Sequence, residues 1–65
     1  MNNNIIPVHK NEDYEIDIER MGYEGEGVGK YQGFTVFVPG ALPGEKVKAK
    51  IVKVNKNFCF GKIPQ

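Results

Sequence analysis

Four glycines lie within nine residues of this 65-residue chain, between Met21 and Gly29. Each glycine in a helix interior costs about 1 kcal/mol relative to alanine, so a helix cannot form there. The same density suits a loop that runs into a sharply bent strand. No ten-residue stretch of the chain shows helical periodicity, and the sequence therefore predicts strands joined by turns.

Five segments carry strand patterns, and they are residues 13–19, 28–31, 34–38, 45–55 and 58–63. Acidic and apolar residues alternate in the first segment, as in a strand with one buried face. Gln32-Gly33 separates the second and third segments and predicts a hairpin. Two Pro-Gly pairs, at 39–40 and 43–44, predict tight turns before the fourth. Asn tolerates left-handed backbone geometry, so residues 55–57 predict the last turn.

The fourth segment changes the phase of its alternation. Its apolar residues fall first on odd and then on even positions: Val47, Ala49 and Ile51, then Val52 and Val54. A side-chain period of two cannot bury both sets without an extra residue, so we predict a β-bulge at Ile51-Val52. Long bulged strands close small barrels, and closure removes exposed edges. The predicted fold is all-β: a small five-stranded antiparallel barrel of OB-like size.

Length and residue types weigh against an enzyme. A chain of 65 residues forms one small domain that buries only about 60% of its unfolded surface. The chain contains no serine, which removes the serine nucleophile. A single histidine, His9, and a single cysteine, Cys59, do not supply the four Cys or His ligands of a structural zinc site. Cys59 lies between two phenylalanines and is interpreted as a small buried residue. We predict no catalytic residue and no metal site in this chain.

The N-terminal segment and the rest of the chain differ in pattern. Residues 1–10 are rich in asparagine and show no period, so we interpret them as a flexible leader. Residues 11–65 form the predicted barrel. No apolar run approaches the roughly 20 residues that cross a bilayer. The start of the chain lacks the basic and apolar segments of a secretory signal, so we expect no membrane association and a cytoplasmic location.

The glycine-rich segment does not predict a nucleotide cofactor site. Residues 27–33 are spaced as GxGxxxG, one residue longer than the dinucleotide fingerprint. That fingerprint works by opening a helix whose amides meet the phosphates, whereas the β-rich segment 34–38 follows here. Glu24 and Glu26 would also repel a pyrophosphate. The segment is therefore interpreted as a bent strand, and no cofactor is predicted for this chain.

Charge is divided unevenly along the sequence. Residues 1–26 carry two basic and seven acidic residues, a net charge of −5, whereas residues 27–65 carry seven lysines and one glutamate, a net charge of +6. This asymmetry is typical of a surface for a polyanion beside an acidic surface that faces elsewhere. The alternative is two ordinary solvated faces of one sheet.

Lysines and aromatic residues of the basic half predict an RNA surface. Outward side chains lie two residues apart on a strand, so Lys46, Lys48 and Lys50 share a face. If Phe34 fills the core with the valines of its strand, Phe37 faces outward, where it could stack on a base beside lysines that hold phosphates. The alternative is that Phe37 lies under a loop and that the lysines only protect an edge strand. The candidate RNA-binding residues are Lys30, Tyr31, Phe34, Phe37, Lys46, Lys48, Lys50, Lys53 and Lys56.

Three segments of the sequence resemble the TRAM domain: residues 25–30 (GEGVGK), Gly33-Phe34 and residues 36–47 (VFVPGALPGEKV). The resemblance covers about residues 11–63, and the phrase at 37–45 (FVPGALPGE) is its most specific part. It implies a small five-stranded barrel that binds RNA and is attached to an RNA-modifying enzyme. An N-terminal position close to Met1 is similar to the first domain of the RNA (uracil-5-)-methyltransferases.

The same resemblance implies partners and cofactors outside this chain. The similar methyltransferases continue with an iron–sulfur cysteine cluster and a catalytic domain that binds S-adenosylmethionine, and this chain ends at Gln65 before either. We therefore expect a monomeric module that holds rRNA or tRNA for a uridine-5-methyltransferase domain in cis. Alternatives are a free-standing TRAM protein that binds RNA as a chaperone, and a protein–protein adaptor that uses the acidic strand.

Overall fold

A computed structural model describes residues 5–64 as an all-β chain with five strands. The strands are β1 (Asp13–Met21), β2 (Gly27–Tyr31), β3 (Phe34–Val38), β4 (Lys46–Val54) and β5 (Phe58–Lys62). All five predicted strands are present, with bounds within two residues of those expected. Residues 1–4 of the predicted leader, and Gln65, lie outside the described residues. Within residues 5–64 there is no helix long and apolar enough to span a membrane.

The strands close a barrel in the order β1-β2-β3-β5-β4, which confirms the predicted five-stranded OB-like architecture. Four of the five strand pairs are antiparallel, but β3 and β5 pair in parallel. The expectation of a wholly antiparallel barrel is therefore wrong at this one pair. The reason is geometric, because an odd number of strands cannot alternate in direction all the way around a closed ring.

The turns follow the glycines and prolines closely. Gln32 and Gly33 both have positive φ, 50° and 83°, as a two-residue hairpin turn of type I′ requires. Gly40 and Gly44 also have positive φ, and they end the two predicted Pro-Gly turns. Asn55 donates its N–H to the carbonyl of Phe58 at 2.8 Å, which closes the last turn. Left-handed geometry was the wrong reason for this turn, since none of residues 55–57 has positive φ.

The predicted bulge in β4 is confirmed by the register with β5. Ile51 pairs with Gly61, and Lys53 pairs with Phe60, so Val52 is the extra residue. Ile51 is fully buried, whereas Val52 is 38% exposed. A second irregularity lies in β1, between Ile18 and Arg20, and the sequence did not predict it.

Glycines in β2 permit a close approach of neighbouring strands. A Cβ atom at Gly29 would overlap the carbonyl oxygen of Asp17 on β1, and one at Gly27 would lie 2.7 Å from the carbonyl oxygen of Ala41. Both glycines are buried within the strand. This close packing accounts for Gly27 and Gly29 in the glycine-rich segment.

The core is aliphatic and extends to the N-terminal segment. It consists of Val8, Ile16, Ile18, Val36, Val38, Ala41, Ala49, Ile51 and Cys59. Val8 is only 3% exposed, and Ile6 packs against the core. Residues 5–10 contain no strand, but the part of the predicted leader that includes these two residues packs on the barrel. A boundary at residue 11 therefore places the start of the packed structure too late in the chain.

Candidate nucleic-acid interface

Three phenylalanine rings form a cluster on the outer surface of the barrel, which we call the aromatic patch: Phe37 from β3, and Phe58 and Phe60 from β5. Their ring centroids lie 5.5 to 5.6 Å apart. The parallel pairing of β3 with β5 places Phe37 directly beside Phe60. All three rings are half-buried and none belongs to the core cluster. The prediction that Phe37 faces away from the core is confirmed.

Tyr31 and Phe34 lie on the other side of the sheet from the aromatic patch. They pair with each other across the β2–β3 hairpin, and both pack against the core cluster. The ring of Tyr31 lies 4.8 Å from that of Tyr14, centroid to centroid. The predicted candidates Tyr31 and Phe37 therefore do not share one surface, because strand alternation turns the two side chains to opposite faces. A contact of Tyr31 or Phe34 with RNA stays a prediction.

The first three lysines of β4 face the acidic residues of β1. Lys46 pairs with Asp17, Lys48 with Glu15, and Lys50 with Asp13 across the antiparallel β1–β4 ladder. The ammonium of Lys46 lies 3.8 Å from a carboxylate oxygen of Asp17, and both side chains are largely exposed. Each of these lysines thus has a carboxylate on the neighbouring strand, which lowers the positive potential along this part of β4.

The remaining candidate lysines lie on the strands and the turn that adjoin β3 and β5. Lys53 pairs with Phe60 on β5, so the two side chains share a face. Lys30 pairs with Thr35, which in turn pairs with Phe58. Lys56 is exposed in the turn that leads into β5. The structure therefore divides the predicted lysines into one group beside carboxylates and another beside aromatic rings.

A loop between β1 and β2, residues 22–26, forms one wall of a groove over the aromatic patch; we call it the acidic loop. A cavity of about 320 Å³ is lined by the patch together with Tyr23, Glu24 and Glu26. Tyr23 is fully exposed at the loop tip. The loop is braced internally, because the N–H of Glu24 donates to the Glu26 carboxylate at 2.9 Å and the N–H of Gly22 donates to the Glu26 carbonyl at 2.7 Å.

Cys59 lies under the aromatic patch, on the core side of β5. It is fully buried, and burial raises the pKa of its thiol from 9.0 to about 11. Its S–H donates to the carbonyl of Thr35, with the sulfur 3.6 Å from the oxygen. A thiol that stays protonated at neutral pH is a poor nucleophile. The interpretation of Cys59 as a small buried residue is confirmed by its burial. Within residues 5–64, no three His, Cys, Asp or Glu side chains form a group that could hold a metal ion.

Comparison with known families decides what kind of barrel this is. The family model of the TRAM domain matches residues 7–63, nearly the whole described chain. The chain belongs to the TRAM domain family. Membership confirms the resemblance seen at residues 25–47 and the prediction of an RNA-binding module. The matched range also includes Val8, in agreement with its place in the core.

Relatives of this TRAM domain are much longer proteins. A protein of Clostridium acetobutylicum named an uncharacterized RNA methyltransferase is 61% identical over 59 residues, which is 91% of this chain and 13% of the relative. A protein of Oceanobacillus iheyensis with the same description is 54% identical over 57 residues, 88% of this chain and 12% of the relative. This chain thus spans about an eighth of the length of these curated relatives.

A solved structure of similar size has the same fold. The solution structure of a conserved protein from Methanococcus maripaludis superposes with a TM-score of 0.86 at 36% identity. The match covers 94% of this chain and 87% of that one. The five-stranded barrel of this TRAM domain is therefore also found in a chain of nearly the same length.

Several residues of the TRAM surface were missed by sequence reasoning. Phe58 and Phe60 alternate with Cys59, so their outward direction could have been inferred once Cys59 was assigned to the core. Arg20 pairs with Val28, and Val28 pairs with Phe37, so the three residues form a row across three strands. The sequence gives no signal for this row, because the row depends on pairing between strands. The position of the acidic loop above the patch depends on the same long-range pairing.

Proposed function

We propose that this TRAM domain binds single-stranded RNA through the aromatic patch and the lysines around it, Lys30, Lys53 and Lys56. The observation that carries the proposal is the presence of three phenylalanine rings outside the core, beside exposed lysines. Base stacking on an aromatic ring is worth about 1–3 kcal/mol per base, and adjacent lysines attract the phosphates. A duplex hides its base faces, so this surface suits unpaired nucleotides.

Lys46, Lys48 and Lys50 take a secondary part in this proposal. The sequence predicts that these lysines hold phosphates, but their cross-strand carboxylates oppose that role. Exposed pairs of this kind add little to stability, but the carboxylates repel a phosphate that approaches the lysines. We therefore assign the principal phosphate contacts to the lysines beside the patch.

For the whole protein, we propose that the domain holds rRNA or tRNA for a uridine-5-methyltransferase domain in the same chain. The names of the curated relatives, which are RNA methyltransferases of about seven times this length, support it. In that enzyme S-adenosylmethionine would supply the methyl group, and an iron–sulfur cluster would be bound outside this segment. The TRAM domain would contribute RNA affinity and orientation as a monomer.

A free-standing RNA-binding protein is the second candidate. It is favoured by one observation, the match of this chain to 87% of the Methanococcus maripaludis chain, which shows that the fold occurs in proteins of this size. Both candidates use the same RNA surface. They are distinguished by whether the coding sequence continues into a cysteine cluster and a methyltransferase domain.

NMR mapping tests the proposed surface. The labelled protein is titrated with a single-stranded oligonucleotide and with a duplex of the same sequence. We expect the largest shift changes in β3, β5 and the β4–β5 turn, and stronger binding to the single strand. Shift changes confined to β1 and the first half of β4 would contradict the aromatic patch as the RNA site. No binding to either RNA would contradict the proposed function.

A further inference from the structure

The groove over the aromatic patch has an apolar floor and a carboxylate rim. The patch forms the floor, and Glu24 and Glu26 line the same cavity from the acidic loop. Lys53 lies opposite Phe60 on β4, the strand that borders the patch on the side away from β2. Lys53 and the carboxylates of the acidic loop therefore lie on opposite sides of the patch.

A nucleotide in single-stranded RNA has chemical groups that match this arrangement of an apolar floor, carboxylates and a lysine. Its base offers a flat face for stacking, its phosphate is anionic, and its Watson–Crick edge carries hydrogen-bonding groups away from the phosphate. With the phosphate near Lys53 and the base on the patch, the Watson–Crick edge would be directed to the acidic loop. A carboxylate there accepts hydrogen bonds and donates none, so it discriminates among bases.

Guanine is the base that best matches a carboxylate. Its N1–H and N2 amino group are adjacent donors, and one carboxylate accepts both in a bidentate pair. Adenine and cytosine present one amino group beside an acceptor nitrogen on this edge. Uracil presents its N3–H between two carbonyl oxygens, which a carboxylate repels.

Of the two rim carboxylates, Glu24 is the one with both oxygens available for a bidentate contact. The Glu26 carboxylate already accepts the N–H of Glu24 at 2.9 Å. Within the described residues 5–64, the Glu24 carboxylate has no hydrogen bond and no ion pair. We propose that the groove selects a guanine base in single-stranded RNA, with the Glu24 carboxylate as the acceptor for its Watson–Crick edge. This inference rests on the proposed function, since it specifies which base occupies the same surface.

An arginine or lysine side chain from another protein would also fit an aromatic floor with carboxylates. Lys53 and Lys30 oppose that occupant, because both are exposed on the face that carries the patch and would repel a second cation. A base with its phosphate satisfies the lysines and the carboxylate together. RNA is therefore the occupant that the charges around the groove favour.

The inference is tested with labelled pentanucleotides UUXUU, in which X is guanine, inosine, adenine or uracil. Inosine keeps the purine ring and N1–H of guanine but lacks the 2-amino group, so it controls for stacking. Fluorescence anisotropy should show guanine bound at least about five-fold more tightly than uracil, the lower end of what a bidentate base contact provides. Inosine should bind more weakly than guanine.

Two protein variants complete the test. Glu24→Gln loses the bidentate acceptor, so the guanine-to-inosine ratio of affinities should fall towards one. Glu15→Gln removes a carboxylate on β1, opposite Lys48, and should leave that ratio unchanged. Equal affinity of the wild-type protein for all four oligonucleotides would overturn guanine selection and leave RNA binding intact. Absence of binding to any of them, and to longer single strands, would overturn the proposed function as well.

Two further results would count against the assignment. If Glu24→Gln strengthens binding to every oligonucleotide equally and preserves the guanine preference, Glu24 acts only by general repulsion and is not the acceptor. If a labelled arginine-rich peptide binds the patch in a Glu24-dependent way while the oligonucleotides show no base preference, the groove is a cation site for a protein.

Discussion

Phe37 is the residue that connects both strands of the aromatic patch. Phe37 lies on β3 and contacts both Phe58 and Phe60 of β5, so its removal affects the whole aromatic patch. We expect Phe37→Ala to weaken single-strand RNA binding by about 1–3 kcal/mol, the usual worth of one stacked base. Loss of its two ring contacts should cost only about 1–3 kcal/mol of folding stability. Anisotropy titration and thermal unfolding measure the two effects.

Phe34→Ala is the matched control for Phe37→Ala. Phe34 lies on the same strand but packs against the core, so its truncation should lower the free energy of unfolding by about 3–5 kcal/mol. A folded Phe37→Ala variant that binds RNA as well as the wild type would contradict the stacking role of Phe37.

Cys59 makes the stability of the domain depend on pH in the alkaline range. Its thiol has a pKa raised to about 11 in the folded protein from 9.0, so the unfolded chain releases the proton first. The stabilisation is complete below pH 9 and is lost as the pH rises from 9 to about 11, up to about 3 kcal/mol. We expect Cys59→Ala to flatten this part of the stability–pH curve. Denaturant unfolding of both proteins from pH 8 to 11 separates this contribution from the titration of tyrosines and lysines, and parallel curves would contradict it.

The bulge in β4 places two adjacent aliphatic residues in opposite environments. Ile51 is fully buried and Val52 is 38% exposed. We expect Ile51→Ala to cost about 2–5 kcal/mol of folding stability and Val52→Ala to change it by no more than about 0.5 kcal/mol. Equal losses in urea unfolding would show that Val52 also packs inward.

The β1–β4 ladder predicts unequal contributions from two lysines of the same strand. Lys48 faces Glu15, whereas Lys53 faces Phe60. We expect Lys53→Ala to weaken RNA binding more than Lys48→Ala and to lower the salt slope by about 0.7 of a unit, the share of one single-strand phosphate contact. Titrations of both variants at several salt concentrations test this. Equal effects would indicate that RNA contacts the whole length of β4.

The features that could be predicted from the sequence are those that depend on local patterns of residues. Strand bounds, the Pro-Gly turns and the β4 bulge follow from alternation and from residues such as Gly40, and all were confirmed. The irregularity in β1 after Ile18 was not predicted, because Glu19 and Arg20 are both polar and the apolar residue that follows them, Met21, is the last of the strand. The aromatic patch depends on β3 lying beside β5, a contact between segments more than 20 residues apart that no local pattern encodes.

At the scale of the whole molecule, the division of charge along the sequence does not become a division in space. The acidic strand β1 lies next to the basic strand β4, and each of the first three lysines of β4 lies opposite a carboxylate of β1. The interpretation of the acidic residues as a surface that faces elsewhere is therefore wrong for Asp13, Glu15 and Asp17. The domain should act on RNA through a small local site, not through a broad field.

A small site implies few phosphate contacts. We expect three to five, so that the logarithm of the association constant falls with the logarithm of salt concentration with a slope of roughly −2 to −4 for single strands. Titrations with an oligouridine between low and physiological salt measure the slope. A flat response would contradict the electrostatic contribution of the lysines around the patch.

The parallel pairing of β3 with β5 has a consequence for the nascent protein. β5 is the last of the five barrel strands to leave the ribosome, and it supplies two of the three rings of the patch. A chain still lacking residues 58–62 has Phe37 without its two neighbouring rings, so it would hold RNA mainly through its lysines, which do not distinguish paired from unpaired bases. Discrimination between unpaired and paired RNA thus arises late in synthesis, when the barrel closes. An unfolded or truncated chain would lose this discrimination before it loses its affinity for RNA.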